Sequence, residues 1–273
     1  PAFEGAEISG GQRAAPGAIE RVRIDPETLE PRFRIIGVEQ WSDEPGFDEA
    51  AGETGVTGIC GSGIIEVVAE MFLAGIVSVD GVVDGSLAAR SPRIAATGRT
   101  FSYVLKQGEP AITITQNDVR AIQLAKAALY AGIKLLMAKQ DVDHVDCVRL
   151  AGAFGSYIDP KYAMVLGLIP DCELDRVQAV GNAAGDGALM ALLNRAHRRE
   201  IEETVRVIHK VETALEPEFQ RLFVDAMAFP NKTDPFPKLS QAVTLPRPKA
   251  VVGTSNGDGE AGGRRRRRQR PRA

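Results

Sequence analysis

Cysteine is scarce in this chain: Cys60, Cys147 and Cys172 stand far apart among 273 residues, with no CxxC pair. That excludes a disulfide framework and leaves no legible zinc or iron–sulfur ligand set, so a reducing, cytoplasmic setting is expected. Histidine is equally scarce. His197 and His209 fall in stretches dense with arginine and glutamate, where a solvated face accounts for them. With only His144 besides, and with neither HExxH nor GxSxG present, no metal site and no catalytic residue is assigned. No apolar run approaches the roughly 20 residues of a membrane span, and the N-terminus lacks a charged-then-apolar signal pattern. No membrane role is expected. The phosphate-binding GxxxxGK[ST] pattern is also missing, which argues against the P-loop enzymes. An initiator methionine is missing too, and the opening Pro1-Ala2-Phe3-Glu4-Gly5 reads as the middle of a domain, so a fragment is expected.

What is present suffices for a core. Hydrophobic residues make up 44% of the chain, and a chain of this size buries most of the surface it exposes when unfolded. The formal charge of −3 hides an asymmetry: from Lys249 on, one lysine and seven arginines meet only Asp258 and Glu260, giving a tail of about +6 and a body of about −9. The prolines from Pro230 to Pro248 and a Gly/Ser-rich linker precede the arginines. Such composition buries too little apolar surface to offset an ordering cost of about 1–2 kcal/mol per residue. Residues 1–238 are therefore expected to fold and 239–273 to form a disordered basic tail. A run of this kind is more often a solvated end than a nucleic-acid clamp, so no nucleic-acid partner is assigned.

Along the chain, residues 18–24 and 32–36 read as hairpin strands broken by Gly and Pro. A loop rich in glycine and acid follows over 41–57. Apolar Ile64, Ile65, Val67, Val68, Met71 and Phe72 predict a helix over 62–73. Residues 77–111 read as irregular, with short strands. The clearest helix follows Thr115, with Thr115 or Asn117 as its cap, Val119, Ile122, Leu129, Ile133 and Leu136 as its apolar face, and an end near Lys139. Beyond a strand at 145–150, helical patterns cover 185–193, 198–215 and 218–227.

Glycines cluster where apolar runs give way to helical ones. Leu150-Ala151-Gly152-Ala153-Phe154-Gly155-Ser156-Tyr157 and Val180-Gly181-Asn182-Ala183-Ala184-Gly185-Asp186-Gly187 both end a strand-like run in small residues, which is how α/β proteins bring backbone amides up to a nucleotide. A third such turn, Gly58-Ile59-Cys60-Gly61-Ser62-Gly63, opens the helix over 62–73. Any single glycine is as well explained by a tight turn or by close packing. Their grouping at strand ends, with Asn182, Ser156 and Asp186 interspersed, shifts the pair toward a ligand cleft. Gly61-Ser62-Gly63-Ile64-Ile65-Glu66 is a poor dinucleotide fingerprint, because glutamate stands at the third glycine position.

These motifs, in this order and together with Phe3-Glu4-Gly5-Ala6 and Arg13-Ala14-Ala15-Pro16-Gly17-Ala18-Ile19, resemble the C-terminal ATPase region of the reductive activators of corrinoid enzymes. The resemblance covers about residues 1–238. It implies an α/β, actin-like ATPase (ribonuclease H-like) lobe of the acetate/sugar kinase superfamily, with additional β hairpins and C-terminal helices. It implies ATP with Mg²⁺ as cofactor of the full-length protein, and a [2Fe-2S] cluster in an N-terminal ferredoxin-like domain outside this chain. The implied activity is ATP-dependent return of cob(II)alamin to cob(I)alamin on the corrinoid protein of a methyltransferase system, and a homodimer is compatible with it. By the same resemblance Gly152, Ala153, Phe154, Gly155 and Ser156 form the nucleotide-binding adenosine motif. Gly181, Asn182, Ala183, Ala184 and Gly185 form the connecting motif at the interlobe hinge, and Glu4, Gly5, Gly61, Ser62 and Gly63 lie near the cleft. The two phosphate motifs of the superfamily, Asp-x-Gly-Thr hairpins, would lie upstream of Pro1, so the chain is expected to be mainly the second lobe and a poor ATPase alone. Two other readings stay open: a docking module for a corrinoid protein without its own ATPase activity, and a lobe of a sugar or acyl kinase of the same superfamily.

Overall fold

The computed structural model describes residues 2–246. The arginine run and most of the expected tail lie outside these residues. Strand β1 (Ala18–Ile24) pairs antiparallel with β2 (Pro31–Ile35), as the hairpin reading expects, and two-residue β3 (Gly58–Ile59) joins β1 in parallel at Ala18 and Ile19. The expected loop over 41–57 contains one short helix, α1 (Phe47–Ala51), whose Phe47 sits edge-on to Phe33 at 6.0 Å.

Helix α2 (Gly61–Leu73) lies across β1 and is buried along almost its whole length. Two glutamates interrupt its apolar surface, and both are buried. The reason lies in the sheet. Beyond Ile19 no strand among the described residues lies beside the second edge of β1, so two of its amides need other acceptors. Glu66 accepts from the Val22 amide at 2.9 Å and Glu70 from the Ile24 amide at 3.0 Å. Spaced one helical turn apart, the two carboxylates stand in for a neighbouring strand. Glu66 also pairs with Arg21 at 2.8 Å and Arg23 at 2.5 Å. Burial works against the charge on Arg23, but Glu66 and its neighbours hold its pKa above the ordinary value.

Strands β4 (Ile94–Thr97), β5 (Thr100–Lys106) and β6 (Ile112–Ile114) form an antiparallel meander. It feeds α3 (Gln116–Lys139), where Thr115 and Asp118 form a reciprocal capping box, an arrangement worth roughly 1 kcal/mol. By length and composition α3 passes as a membrane span. Its buried face says otherwise, because Asp118, Gln123 and Lys126 are hydrogen-bonded there to other parts of the chain.

The second half begins with β7 (Val148–Leu150), which among the described strands pairs only with β8 (Val177–Ala179), in parallel. Between them lie α4 (Gly152–Tyr157) and α5 (Pro160–Val165). Residues Tyr162 to Val165 are buried, and the Tyr162 hydroxyl donates to Glu70. After β8 come α6 (Ala183–Leu193) and α7 (Arg195–Val207), then α8 (Phe219–Asp225) and α9 (Pro237–Ala242). Helix α9 carries the packed chain past the boundary expected at 238. Leu239 is fully buried, and Asp171 accepts from the amides of Lys238 and Leu239, both at 2.9 Å. Proline at the first turn of α9 starts this helix, where its missing N–H has no cost.

The segment around α8 is strapped to α3 by a polar stripe. Gln123 donates to the Met227 carbonyl at 2.7 Å, Lys126 to those of Ala228 and Pro230, and Tyr130 to Asp234 at 2.8 Å. This corrects the expected helix face: Leu129 and Leu136 are about half exposed, while Lys126 and Tyr130 are buried. The strap presents carbonyls and a carboxylate, and these select donors over leucines.

Among the described residues no carboxylate pairs with Lys126, and burial pushes its pKa down to about 7. Between about 7 and the ordinary 10.5, the unfolded chain holds a proton that the folded chain lacks, so stability rises with pH through that window. Below it both states are protonated and the cost of the buried charge is present in full. The expected slope is at most about 1.4 kcal/mol per pH unit. Denaturant unfolding of wild type and Lys126→Met at several values between pH 6.5 and 9.5 checks this. The stability difference between them should move in favour of wild type as pH rises; a flat difference means that Lys126 does not titrate there.

Candidate functional site

The three glycine turns meet around α4. Gly152 opens this helix at φ +91°, and Gly181 precedes α6 at φ +66°. Both values lie in the region that side chains disfavour. The Gly152 amide donates to the Gly181 carbonyl at 2.7 Å, and the Val180 amide to Leu150 at 3.0 Å, so the two turns are tied together at the end of the β7–β8 pair. A Cβ built on Gly152 meets nothing within 4 Å. The space beside it is open.

Two residues further on, Phe154 leans over the third turn. Its ring stacks on Phe3 at 6.4 Å. A side chain on Gly61 would collide with the Phe3 carbonyl oxygen and press on the Phe154 ring at 2.5 Å. Glycine there lets the chain end, the α2 start and α4 converge. The result is a cleft of about 620 Å³ whose walls include Phe3, Glu4, Arg13, Glu20, Gly61, Ser62, Phe154 and Tyr157. The wall is mainly aromatic and apolar, with exposed charge from Glu4 and Arg13 at the rim.

Of the residues expected at the site, Phe154, Glu4, Gly61 and Ser62 line this cleft. Gly152 and Gly181 lie one turn of chain away, paired with each other. The rest have positions that packing or capping explains. Asn182 caps α6, its side-chain oxygen accepting from the Gly185 amide at 3.1 Å; Ala183 and Ala184 begin that helix. A Cβ on Gly155 would press on the Leu150 backbone at 3.0 Å, and Gly63 lies so close to Ile19 that a side chain would strike its carbonyl. Ser156, in α4 with Ala153, donates back to the Gly152 carbonyl at 3.2 Å. Gly5 holds a turn against Gly11 and Gln12. At the third glycine position of a dinucleotide fingerprint the third turn has Glu66, which bonds to β1.

A larger cleft, about 860 Å³, opens elsewhere, between the β1–β2 hairpin and β5. On its wall Arg93 pairs with Glu30 at 2.7 Å, and Arg23 turns to Glu66 on α2. Among the described residues no group of three His, Cys, Asp or Glu side chains is placed to hold a metal. Cys60 and Cys172 are buried singly.

Sequence reasoning did not assign Arg13 or Tyr157 to the cleft, and it missed Glu66, Glu70 and Lys126 as buried polar groups. A signal existed for the glutamates: two carboxylates four residues apart inside an apolar helical run seldom lie buried unless each is paired.

Comparison with known proteins bears on the family and the fold. The family described as the C-terminal domain of RACo, the ASKHA domain, matches residues 1–240. The corrinoid activation enzyme RamQ of Eubacterium limosum is 33% identical over 236 residues, which is 82% of this chain and 37% of that protein. A [Co(II) methylated amine-specific corrinoid protein] reductase of Methanosarcina barkeri is 27% identical over 217 residues, 76% of this chain and 36% of that protein. Among solved structures, a reductive activator for a corrinoid, iron–sulfur protein superposes with a TM-score of 0.71 at 33% identity, over 85% of this chain and 35% of its own. The chain spans little more than a third of the length of these relatives.

Proposed function

The chain belongs to the family of RACo C-terminal ASKHA domains, with an actin-like ATPase fold, and from that premise we propose that it is the nucleotide-binding part of an ATP-dependent reductive activator. The longer protein would return a corrinoid protein of a methyltransferase system from cob(II)alamin to cob(I)alamin, in the cytoplasm. The kinase-lobe reading gives way to the family assignment. The observation that carries the proposal is the joining of the turns: Gly152 bonded to Gly181, with Phe154 stacked on Phe3 over Gly61 at the edge of an aromatic cleft.

In this reading the absence of a side chain at Gly152 admits the ribose, Phe154 and Tyr157 wall the base, and Arg13 attracts the anion from the rim. ATP, when bound with Mg²⁺, supplies free energy that an ordinary iron–sulfur donor lacks for so low a potential. The partners of the phosphates and of Mg²⁺, and the [2Fe-2S] cluster, belong to parts of the longer protein outside this chain. Phosphoryl transfer depends on charge positioned around the transferred group. The isolated chain is therefore expected to hydrolyse ATP at the background rate, and robust turnover by it would contradict the assignment of the phosphate partners elsewhere. The full-length protein, given reductant and its cob(II) corrinoid protein, should produce the absorption of cob(I) only when ATP is present. Equal reduction with and without ATP would sink the proposal.

A further inference from the structure

Arg21 and Arg23 pair with the same buried carboxylate, Glu66, yet they do different things with their remaining donors. Nη1 of Arg21 donates to Glu66 Oε1 at 2.8 Å and also to the Tyr157 carbonyl at 3.1 Å, 136 residues away in the chain. Tyr157 is the last residue of α4, and a carbonyl at a helix end has no partner within the helix. A guanidinium suits it, because its donors lie in one fixed plane and its charge is always present. Arg23 turns elsewhere: besides Glu66 it meets the Val22 carbonyl and lies over the rings of Trp41 and Tyr162, at 5.5 and 4.9 Å. The strand is shaped for this division. The register between β1 and β2 shifts between Ile19 and Arg21, a bulge that leaves Glu20 as the extra residue and bends the strand. Glu20 lines the cleft, while Arg21 beside it reaches across to α4.

We propose that Arg21 is a positioning residue for the nucleotide: through Glu66 it latches the C-terminal end of α4 to β1 and α2, and so fixes the helix that carries Phe154 and Tyr157 into the cleft wall. The inference rests on the reading of this cleft as the adenosine end of the site. Toward its start α4 is held through Phe154, whose ring stacks on Phe3 beside Gly61. Burial alone does not fix the helix, since Phe154 is 39% and Tyr157 60% exposed. Glu66, 1% exposed on buried α2, is a firm post for the guanidinium. The wall is therefore in place before a flat base arrives, and binding does not have to meet the cost of ordering it. Arg21 itself is outside the cleft lining and acts through the Tyr157 backbone. Without the latch α4 is free to shift, and the loss falls on ground state and transition state alike.

The test compares Arg21→Met with Arg23→Met in the full-length protein. Methionine keeps most of the apolar stem and removes every donor, and each variant takes one ion pair from Glu66 while leaving it the other. In ATP-dependent cob(II) reduction, Arg21→Met should raise KM for ATP about fivefold or more with kcat little changed, the signature of lost uniform binding. Calorimetric titration should show ATP affinity falling by about the same factor. Arg23→Met should leave KM and affinity within about twofold of wild type while lowering the melting temperature comparably. Hydrogen exchange without nucleotide gives a second reading: amides 155–158 should exchange about tenfold faster or more in Arg21→Met, and at the wild-type rate in Arg23→Met. Unchanged KM and affinity in a folded Arg21→Met protein overturn the inference. So does an equal loss in both variants, which reduces Arg21 to a partner of Glu66, or exchange in α4 that stays at the wild-type rate. Wild-type protein that binds no ATP defeats the nucleotide reading and this inference together, whereas wild-type binding left intact by Arg21→Met defeats this inference alone.

Discussion

Glu66→Ala is expected to lower folding stability by about 3 kcal/mol, the lower end of the roughly 3–5 kcal/mol seen when one partner of a buried ion pair is removed. The carboxylate is 1% exposed and answers three groups: the Val22 amide and the guanidiniums of Arg21 and Arg23. Removing it leaves the amide in a dry interface with no acceptor, a penalty of roughly 1–3 kcal/mol by itself. The arginines recover some hydration, since their side chains are 24% and 32% exposed, which is why the lower end applies. For a domain of this size each kcal/mol moves the melting temperature by about 2–4 °C. Glu66→Gln should cost less, because its amide oxygen still accepts from Val22 while the ion pairs are lost. Denaturant unfolding and thermal melting of both variants check the order. If Glu66→Ala falls within about 1 kcal/mol of wild type, the carboxylate is not closing the edge of β1.

Local grammar was readable where it is local. The β1–β2 hairpin, α2 behind the third glycine turn, and the Thr115 cap of α3 all follow from periodicity, turn residues and capping chemistry within a dozen residues of one another. The same reasoning failed where a distant segment decides the environment. Leu129 and Leu136 satisfy the 3.6-residue repeat yet face solvent, because α3 turns toward carbonyls that arrive from residues 227–230. Lys126 looks like a surface residue until those carbonyls are known. Leu239 looks like part of a proline-broken tail until Asp171 is found accepting from its amide. At the candidate site the glycines were legible as a group, but their individual duties were not. Gly63 and Gly155 serve backbone packing, whereas Gly152 and Gly181 combine a positive φ with open space, and only coordinates separate the two kinds.

That separation makes Gly152→Val the sharpest probe of the site. In the full-length protein it is expected to weaken adenine-nucleotide binding at least tenfold, or about 1.4 kcal/mol. Two effects contribute. Valine at φ +91° is strained, by about 1–3 kcal/mol, and the strain falls on the turn that holds Gly152 to Gly181. The isopropyl group, meeting no protein atom at its root, also projects into the open space where the ligand is proposed to lie. Gly152→Asn divides the two, because asparagine tolerates positive φ better than a β-branched residue. It should retain the fold more fully while still filling part of the space. Gly155→Ala supplies the contrast: its new methyl meets the Leu150 backbone at 3.0 Å, so it should lower stability with little change in affinity. Calorimetric titration of ATP, alongside thermal melting of each variant, reads both quantities. Wild-type affinity in a folded Gly152→Val protein would remove this turn from the nucleotide site, whereas loss in the valine variant with partial retention in the asparagine variant assigns the open space at Gly152 to the ligand.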